Sequence, residues 1–530
     1  MKKIFKVELI LIICLLSFTG CVSELDVENE DPDALLVNQF YSTPESYLQG
    51  LAGVYANLTL TGLEGINSSN IEGAKFSQYT QALWFMTEMT TDEVVYSWET
   101  DPGTSELNRN TWTANNVVLL GMFSRAMLQV AFANEYLRQT SDEVLTTRNV
   151  DNELRSKISV YRAEARFLRV LSYYHLMDLY GKAPFVTEFD EVGAFKAPQY
   201  DRPQLFNFIE SELLEIISQL KEPLQNDYAR VDQAAAWMIL AKIYLNAEVY
   251  ISENKYTECI EYCEKILNSG YSLAPTYLNN FNADNHENNA RNEIIFPIVS
   301  DAVFSQTWGS TTTIVNGQVG AQEANGGDFG LNAGGWGGAF RVTRQFSEIF
   351  LHGDFAQDDR NTLITENRPI DIIDIADRNT GYIIGKWSNK KSTGENGAGL
   401  ELVETDYPLF RLADVYLMYA EAHLRGGGGS LTQAIHYFND LRNRANNPNT
   451  VSGGDLTLDL ILNERLVELH WEAHRRQDLI RFNKFTGGNY NWAWKGDVPN
   501  GIPISSHMDV FPIPAASISA NPNLIQNQGY

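Results

Sequence analysis

Apolar residues in this chain recur at helical spacing, and that periodicity restricts the fold more than any other feature. Leu154, Ile158, Tyr161, Ala165 and Leu168 advance by 4, 3, 4 and 3 residues, which puts one apolar stripe on a helix running to about Tyr180. Gly181 and Pro184 stop it. Phe410, Ala413, Leu417, Ala420 and Leu424 repeat the stripe, as do Leu462, Leu466, Leu469 and Ala473. The expected fold class is mainly α.

The helices are expected in pairs. Trp237, Leu240, Ala241 and Tyr244 match the first-helix pattern of a tetratricopeptide unit, with Ala in place of the usual Gly. Tyr256 to Leu267 reads as its second helix, and Cys259 takes the small-residue position where two helices approach closely. Arg411 to Leu424 followed by Leu431 to Arg444 forms a second pair, joined by the flexible turn Gly426-Gly427-Gly428-Gly429-Ser430. Such units cannot bury their faces alone, so further pairs near 115–180 and 203–220 are expected to stack with them. Between the pairs lie irregular stretches rich in Gly, Asn and Thr, at about 57–115, 270–345 and 361–405. Loops of this length are usually functional.

The N-terminus reads as a targeting segment. Lys2, Lys3 and Lys6 precede the apolar run Leu9 to Leu16, and Ser17-Phe18-Thr19-Gly20-Cys21 resembles a lipoprotein cleavage box. Residues 1–20 are therefore expected to be a signal peptide, Cys21 the lipidated residue and 21–45 a tether. No later stretch approaches 18 uninterrupted apolar residues, so the mature chain is expected to be soluble and membrane-attached only through its lipid. The formal charge of −27 argues against nucleic acid and against polyanions as partners. With 44% hydrophobic residues the chain can bury a sizeable core. Cys259 and Cys263, four apart on one helix, suit neither a disulfide nor a metal site and read as small buried hydrophobes.

Several segments, taken in order, resemble the SusD/RagB family of outer-membrane nutrient-binding lipoproteins. Arg162-Ala163-Glu164-Ala165-Arg166-Phe167-Leu168-Arg169, continuing to Tyr180-Gly181 and Pro184, is similar to the family's central helix and its exit. Tyr407-Pro408-Leu409-Phe410-Arg411-Leu412-Ala413-Asp414 resembles its best-known segment. Ile461-Leu462-Asn463-Glu464-Arg465, His474-Arg475-Arg476 and the tail Asn521-Pro522-Asn523-Leu524 to Tyr530 follow as the family would have them. The resemblance implies a SusD-like fold of tetratricopeptide-like helix pairs with a loop-rich ligand-binding region. In this chain that would be one domain over 46–530, with parts at about 46–270 and 271–530. It also implies a lipid-anchored, cell-surface location on the outer membrane, no enzyme activity, and a SusC-like TonB-dependent transporter as partner. Arg411, Asp414, Glu421, Glu464, Arg465, Glu468, Arg475 and Asp478 are read as scaffold ion pairs and caps at helical spacing.

The ligand expected is an oligosaccharide or polysaccharide. A sugar ring offers a C–H face that aromatic side chains bury, and hydroxyls that Asn, Asp, Gln and Arg pair. Within 84–112, Trp84, Phe85 and Met86 read as a buried entry helix, and the loop beyond offers Tyr96, Trp98, Asp101, Asn108 and Arg109. Trp112 reads as the anchor of the next helix. Trp336, flanked by glycines in Gly334-Gly335-Trp336-Gly337-Gly338, is the second aromatic candidate, and Trp308 the third. The alternatives are a RagB-like oligopeptide ligand and, further off, a surface glycoside hydrolase, for which no motif nominates a carboxylate pair. His470 and His474 share the spacing of zinc peptidases, but the glutamate is misplaced for that motif. No cofactor is expected. Asp354, Asp358, Asp359 and Arg360 read as a solvated, capped helix end or as a structural Ca²⁺ site, which stays unassigned.

Overall fold

The computed structural model describes residues 37–530 apart from 63, 64, 194, 332, 333 and 352, so the Cys21 and signal-peptide expectations lie outside the described residues. The chain divides into two compact units at Tyr47, and the larger, Leu48–Tyr530, carries the helices and strands that build the site.

In chain order the elements that matter are helix α1 (Tyr79–Glu88), strand β1 (Val95–Tyr96), helices α2 (Val117–Gln139), α3 (Asn152–Tyr180), α4 (Arg202–Ile216), α5 (Gln233–Leu245) and α6 (Tyr256–Leu267), strand β2 (Ile294–Ile298), helix α7 (Ser310–Gln318), strands β3 (Phe340–Arg341) and β4 (Tyr407–Arg411), and helices α8 (Leu412–Leu424), α9 (Leu431–Arg444), α10 (Leu458–Leu469) and α11 (Arg475–Arg481). The ends follow from local chemistry. The Asp151 carboxylate caps α3 by accepting the Leu154 N–H, and Gly181, at φ +68, closes it by donating to the Met177 carbonyl. Asp232 caps α5 through the N–H groups of Ala234 and Ala235.

The expected pairs are present: α2 packs on α3, α5 on α6 and α8 on α9, while α6 also packs on α8 and α4 on α3. Helix α2 is apolar and long enough to cross a membrane, yet it serves as a core helix between α1 and α3. Cys259 and Cys263 are unpaired and buried. Three local expectations are corrected. Phe410 and Arg411 belong to strand β4, which pairs antiparallel with β2, so the helix starts only at Leu412. Helix α10 stops at Leu469, and Ala473 lies beyond it; Trp471 and Ala473 take φ of +62 and +65, which no helix continues through. The stretch 57–115 is not irregular throughout, because α1 is wholly buried within it.

Buried ion pairs tie these elements together. Arg411 reaches Glu293 at 2.9 Å, Glu468 at 2.6 Å and Glu472 at 2.6 Å. Arg360 reaches Glu464 at 2.7 Å and Glu468 at 2.9 Å, and Arg444 joins Glu293 at 3.0 Å and also Glu468. Burial opposes the charge on Glu468, but the guanidiniums of Arg444, Arg411 and Arg360 hold its carboxyl well below the usual carboxylate range. A second cluster joins Arg465 to Asp414 and Asp478, Lys242 to Asp414, and Arg481 to Glu421. Most of these pairs run between elements rather than along one helix; Arg481–Asp478 and Arg425–Glu421 are the local ones.

The two histidines do not face each other across a helix. His470 Nδ1 lies 3.0 Å from the Val467 carbonyl, and His474 Nδ1 lies 3.3 Å from Lys242 Nζ. Asp358 is bound by Arg360 and Asn447, Asp359 by Asn446 and Asp354 by Arg442. Among the described residues no group of three or more His, Cys, Asp or Glu is placed to hold a metal.

Replacing Arg411 by Ala leaves three buried carboxylates short of a partner and is expected to cost about 3–5 kcal/mol in urea denaturation. Lys157→Ala, which removes an exposed pair with Glu153, is expected to leave the midpoint unchanged.

Candidate functional site

Strand register builds the site. β1 and β3 run antiparallel with Val95 opposite Arg341 and Tyr96 opposite Phe340, and the Ser97 N–H donates to the Ala339 carbonyl. The chain leaving β1 therefore runs beside the chain entering β3. That sets Trp98 against Trp336, ring centroids 5.5 Å apart and planes at 35°. Tyr96 stands behind Trp98 at 5.8 Å and Phe340 behind Tyr96 at 5.0 Å.

Glycine holds Trp336 in place. A Cβ on Gly335, whose φ is +70, would lie 2.6 Å from the Val319 carbonyl oxygen, and one on Gly320, at φ +103, would lie 2.1 Å from the Gly334 carbonyl oxygen. The Trp336 N–H donates to Asn316 and the Gly338 N–H to Val319, fastening the loop to the end of α7. Trp308 precedes α7, and its indole N–H lies 3.3 Å from Asn67 Oδ1.

These groups line one open cavity of about 390 Å³. It brings together Trp98, Trp336, Trp308, Tyr96 and Asp101 from the sequence candidates. Trp98 and Trp336 are half-buried and Trp308 is 37% exposed, so each keeps part of its ring open to solvent. The Tyr96 hydroxyl donates to Asp101 at 2.7 Å. Burial first, then that bond, raises the phenol far above its ordinary pKa, so it remains a donor and fixes the carboxylate.

Asn108 and Arg109 do not line the cavity; they hold its loop. The Asn108 side chain accepts from the Tyr96 N–H at 3.0 Å and donates to the Tyr96 carbonyl at 2.8 Å, pinning the strand end. Arg109 pairs with Glu99 and, at 2.7 Å, with Asp497, above the ring of Trp494. Trp112 is buried, its indole N–H donating to the Tyr530 hydroxyl. Sequence reasoning missed Asn67, Ser69, Lys75 and Gln81, which supply polar groups to the lining. The signal available for the first two was the turn-rich run Ile66-Asn67-Ser68-Ser69-Asn70, which contains no aromatic residue. Lys75 and Asp101 are the charged residues among the described lining.

A second depression of about 320 Å³, lined by Leu51, Tyr55, Leu58, Phe296 and Ile298, offers few polar groups. The aromatic cavity combines flat apolar faces with hydrogen-bonding side chains. It can stack a ring that is apolar on its faces and polar at its edge.

Comparison with known proteins agrees along the whole chain. Residues 239–530 match the model of the SusD family, and residues 66–245 match a model described as starch-binding associating with outer membrane. The starch-binding protein SusD of Bacteroides thetaiotaomicron is 31% identical over 582 aligned residues, covering 100% of this chain and 99% of that protein. SusD-like protein P25 of Formosa agariphila is 24% identical, covering 99% and 100%. Surface glycan-binding protein A from Bacteroides thetaiotaomicron, solved in complex with laminarihexaose, superposes with a TM-score of 0.65 at 20% identity, covering 91% of this chain and 99% of that one. A SusD superfamily protein from Parabacteroides distasonis superposes with a TM-score of 0.70 at 20% identity, covering 92% and 99%. By family model, full-length identity and fold alike, the chain belongs to the SusD family.

Proposed function

We propose that this protein captures a polysaccharide at the outer-membrane surface and passes it to a SusC-like TonB-dependent transporter. The observation that carries the reading is the convergence of Trp98, Trp336 and Trp308 on one open cavity with a polar wall. The starch-binding and laminarihexaose-bound relatives support a glycan as ligand. The cavity suits a neutral polymer, because a uronate or sulfate would meet the Asp101 carboxylate with Lys75 as the only lining cation among the described residues. Binding without turnover is supported by the same lining. A glycosidase flanks the scissile bond with two carboxyl groups, whereas Asp101 is the one carboxylate among the described lining residues and is already held by Tyr96. Two or three stacked rings give micromolar to millimolar affinity after the costs of association, which suits a protein that must release its cargo.

Affinity gel electrophoresis of the unlipidated protein over soluble starch, laminarin and an acidic polysaccharide tests this. Retardation by a neutral polymer is expected, and Trp98→Ala or Trp336→Ala is expected to weaken it about tenfold, from the roughly 1–3 kcal/mol that one stacked indole contributes. Gly335→Ala, which forces a Cβ onto Val319, is expected to weaken retardation while the protein stays folded. Free migration in every gel, with binding of oligopeptides instead, would overturn the glycan reading. Surface anchoring has its own test: Cys21→Ser is expected to move the protein from the membrane fraction to the soluble fraction, and unchanged fractionation would remove the lipid anchor from the account.

A further inference from the structure

Behind the aromatic cavity lies a pair of fully buried carboxyl groups, Glu88 at the end of α1 and Glu93 just before β1, 0% and 1% exposed. Both hold the same short segment. Glu88 Oε1 accepts the Ala473 N–H at 2.5 Å, Glu93 Oε2 accepts the Trp471 N–H at 2.9 Å, and the Glu93 carbonyl accepts the Trp471 indole N–H at 3.1 Å. Trp471 and Ala473 are the two residues at positive φ, so these bonds fasten a backbone that would otherwise relax. The other oxygen, Glu88 Oε2, is buried and receives no donor among the described residues; the carboxyl that this side chain meets is that of Glu93. Two carboxylates cannot bond to each other, because each only accepts.

We infer that Glu88 and Glu93 share a proton at neutral pH, and that this proton clasp, through Trp471, keeps the aromatic cavity in its binding geometry. The second half of the inference rests on the binding function proposed above.

The cations nearest the pair are engaged by other carboxylates. Arg475 is taken by Asp92 in two bonds of 2.7 Å and stands 4.0 Å from Glu93, while the Tyr490 hydroxyl also donates to Asp92. Lys386 is bound to Glu472 at 2.6 Å, and Glu472 in turn to Arg411. Tyr407 on β4 also feels both carboxyls, and burial raises its phenol so that it brings no charge. Burial, then the neighbouring Glu93, raises Glu88 well above the usual carboxylate range; burial pushes Glu93 up to about 7, against the opposing pull of Glu88 and Arg475. A carboxyl raised in the folded state stabilises the fold fully below its ordinary pKa and loses that contribution as pH climbs through the folded value. The contribution therefore falls from the ordinary carboxylate range upward, through about 7 for Glu93 and beyond that for Glu88, which keeps the last proton of the pair. The path to the cavity is contact by contact: Trp471 packs on Phe340 at 6.1 Å, Phe340 on Tyr96 at 5.0 Å and Tyr96 on Trp98 at 5.8 Å.

The test compares the wild type with Glu88→Gln, whose amide can donate to Glu93 and still accept from Ala473 without titrating. Thermal midpoints and starch affinity (laminarin, if that is the retarding polymer) are measured at about pH 6 and about pH 9. The wild type is expected to lose midpoint temperature and at least about threefold in affinity at the higher pH, and Glu88→Gln to lose neither. An infrared band of a protonated carboxyl at about pH 8, present in the wild type and missing from Glu88→Gln, is expected as well and does not depend on ligand. Equal pH slopes in the two proteins, or no such band, would overturn the shared proton. Slopes that differ in melting while affinity stays level with pH would overturn the link to the cavity. If the band and the melting behave as expected but no polymer is retained at either pH, the clasp stands and the glycan reading fails.

Discussion

Glu468 sits without access to water and is met by three guanidiniums, those of Arg360, Arg411 and Arg444, brought from three separate stretches of chain. A charge in that position is costly unless every partner arrives together. The requirement reaches outward, because Arg411 also binds Glu293 and Glu472, and Arg360 also binds Glu464. A strand end, a loop residue and the helices α9 and α10 are thereby fixed relative to one another. Replacing this network by apolar side chains of the same volume would be neutral or favourable for bare stability in many proteins. Here the network joins four separate stretches of chain at one buried carboxylate.

The aromatic cavity hangs from that frame. Glu472 is held by both Arg411 and Lys386, and it lies inside the segment 470–474 that carries Trp471. Trp471 packs edge-on against Trp84 and Phe340, and Phe340 is the residue that β3 sets opposite Tyr96. A two-residue strand pair contributes little by itself. Its register matters because it lies between a rigid aromatic core on one side and the Trp98–Trp336 pair on the other. The glycines around Trp336 complete the arrangement by allowing the loop closer to α7 than any side chain would permit.

How much of this could be read from residues alone differs between scaffold and site. The helix pairs were legible because apolar periodicity is a local property, and α3 ends at the Gly181 the sequence marks. The stripes misled at their ends: Phe410 keeps helical spacing yet pairs as a strand with β2, and Ala473 keeps it after the helix has broken. In both places a long-range bond outranks local preference. At the site, tryptophans among turn residues were a usable signal, and Trp98, Trp336 and Trp308 do meet. Asn108 and Arg109 drew attention as polar loop residues, but whether such a residue faces ligand or backbone depends on partners such as Asp497, 388 positions away. Lys75 and Gln81 carried no mark of their own.

The sequence by itself determined the helical class, the pairing of helices, the family and the aromatic side chains that line the cavity. Each of these follows from spacing, from residue type or from the order of motifs along one dimension. Only the tertiary structure decided that the ion pairs cross between elements, that two loops some 240 residues apart set Trp98 against Trp336, and that Glu88 meets Glu93 with no other donor among the described residues. The physical reason is the same in each case. Burial of a charge or the stacking of a ring is set by what arrives from elsewhere in the chain, and a sequence read locally does not contain that neighbour.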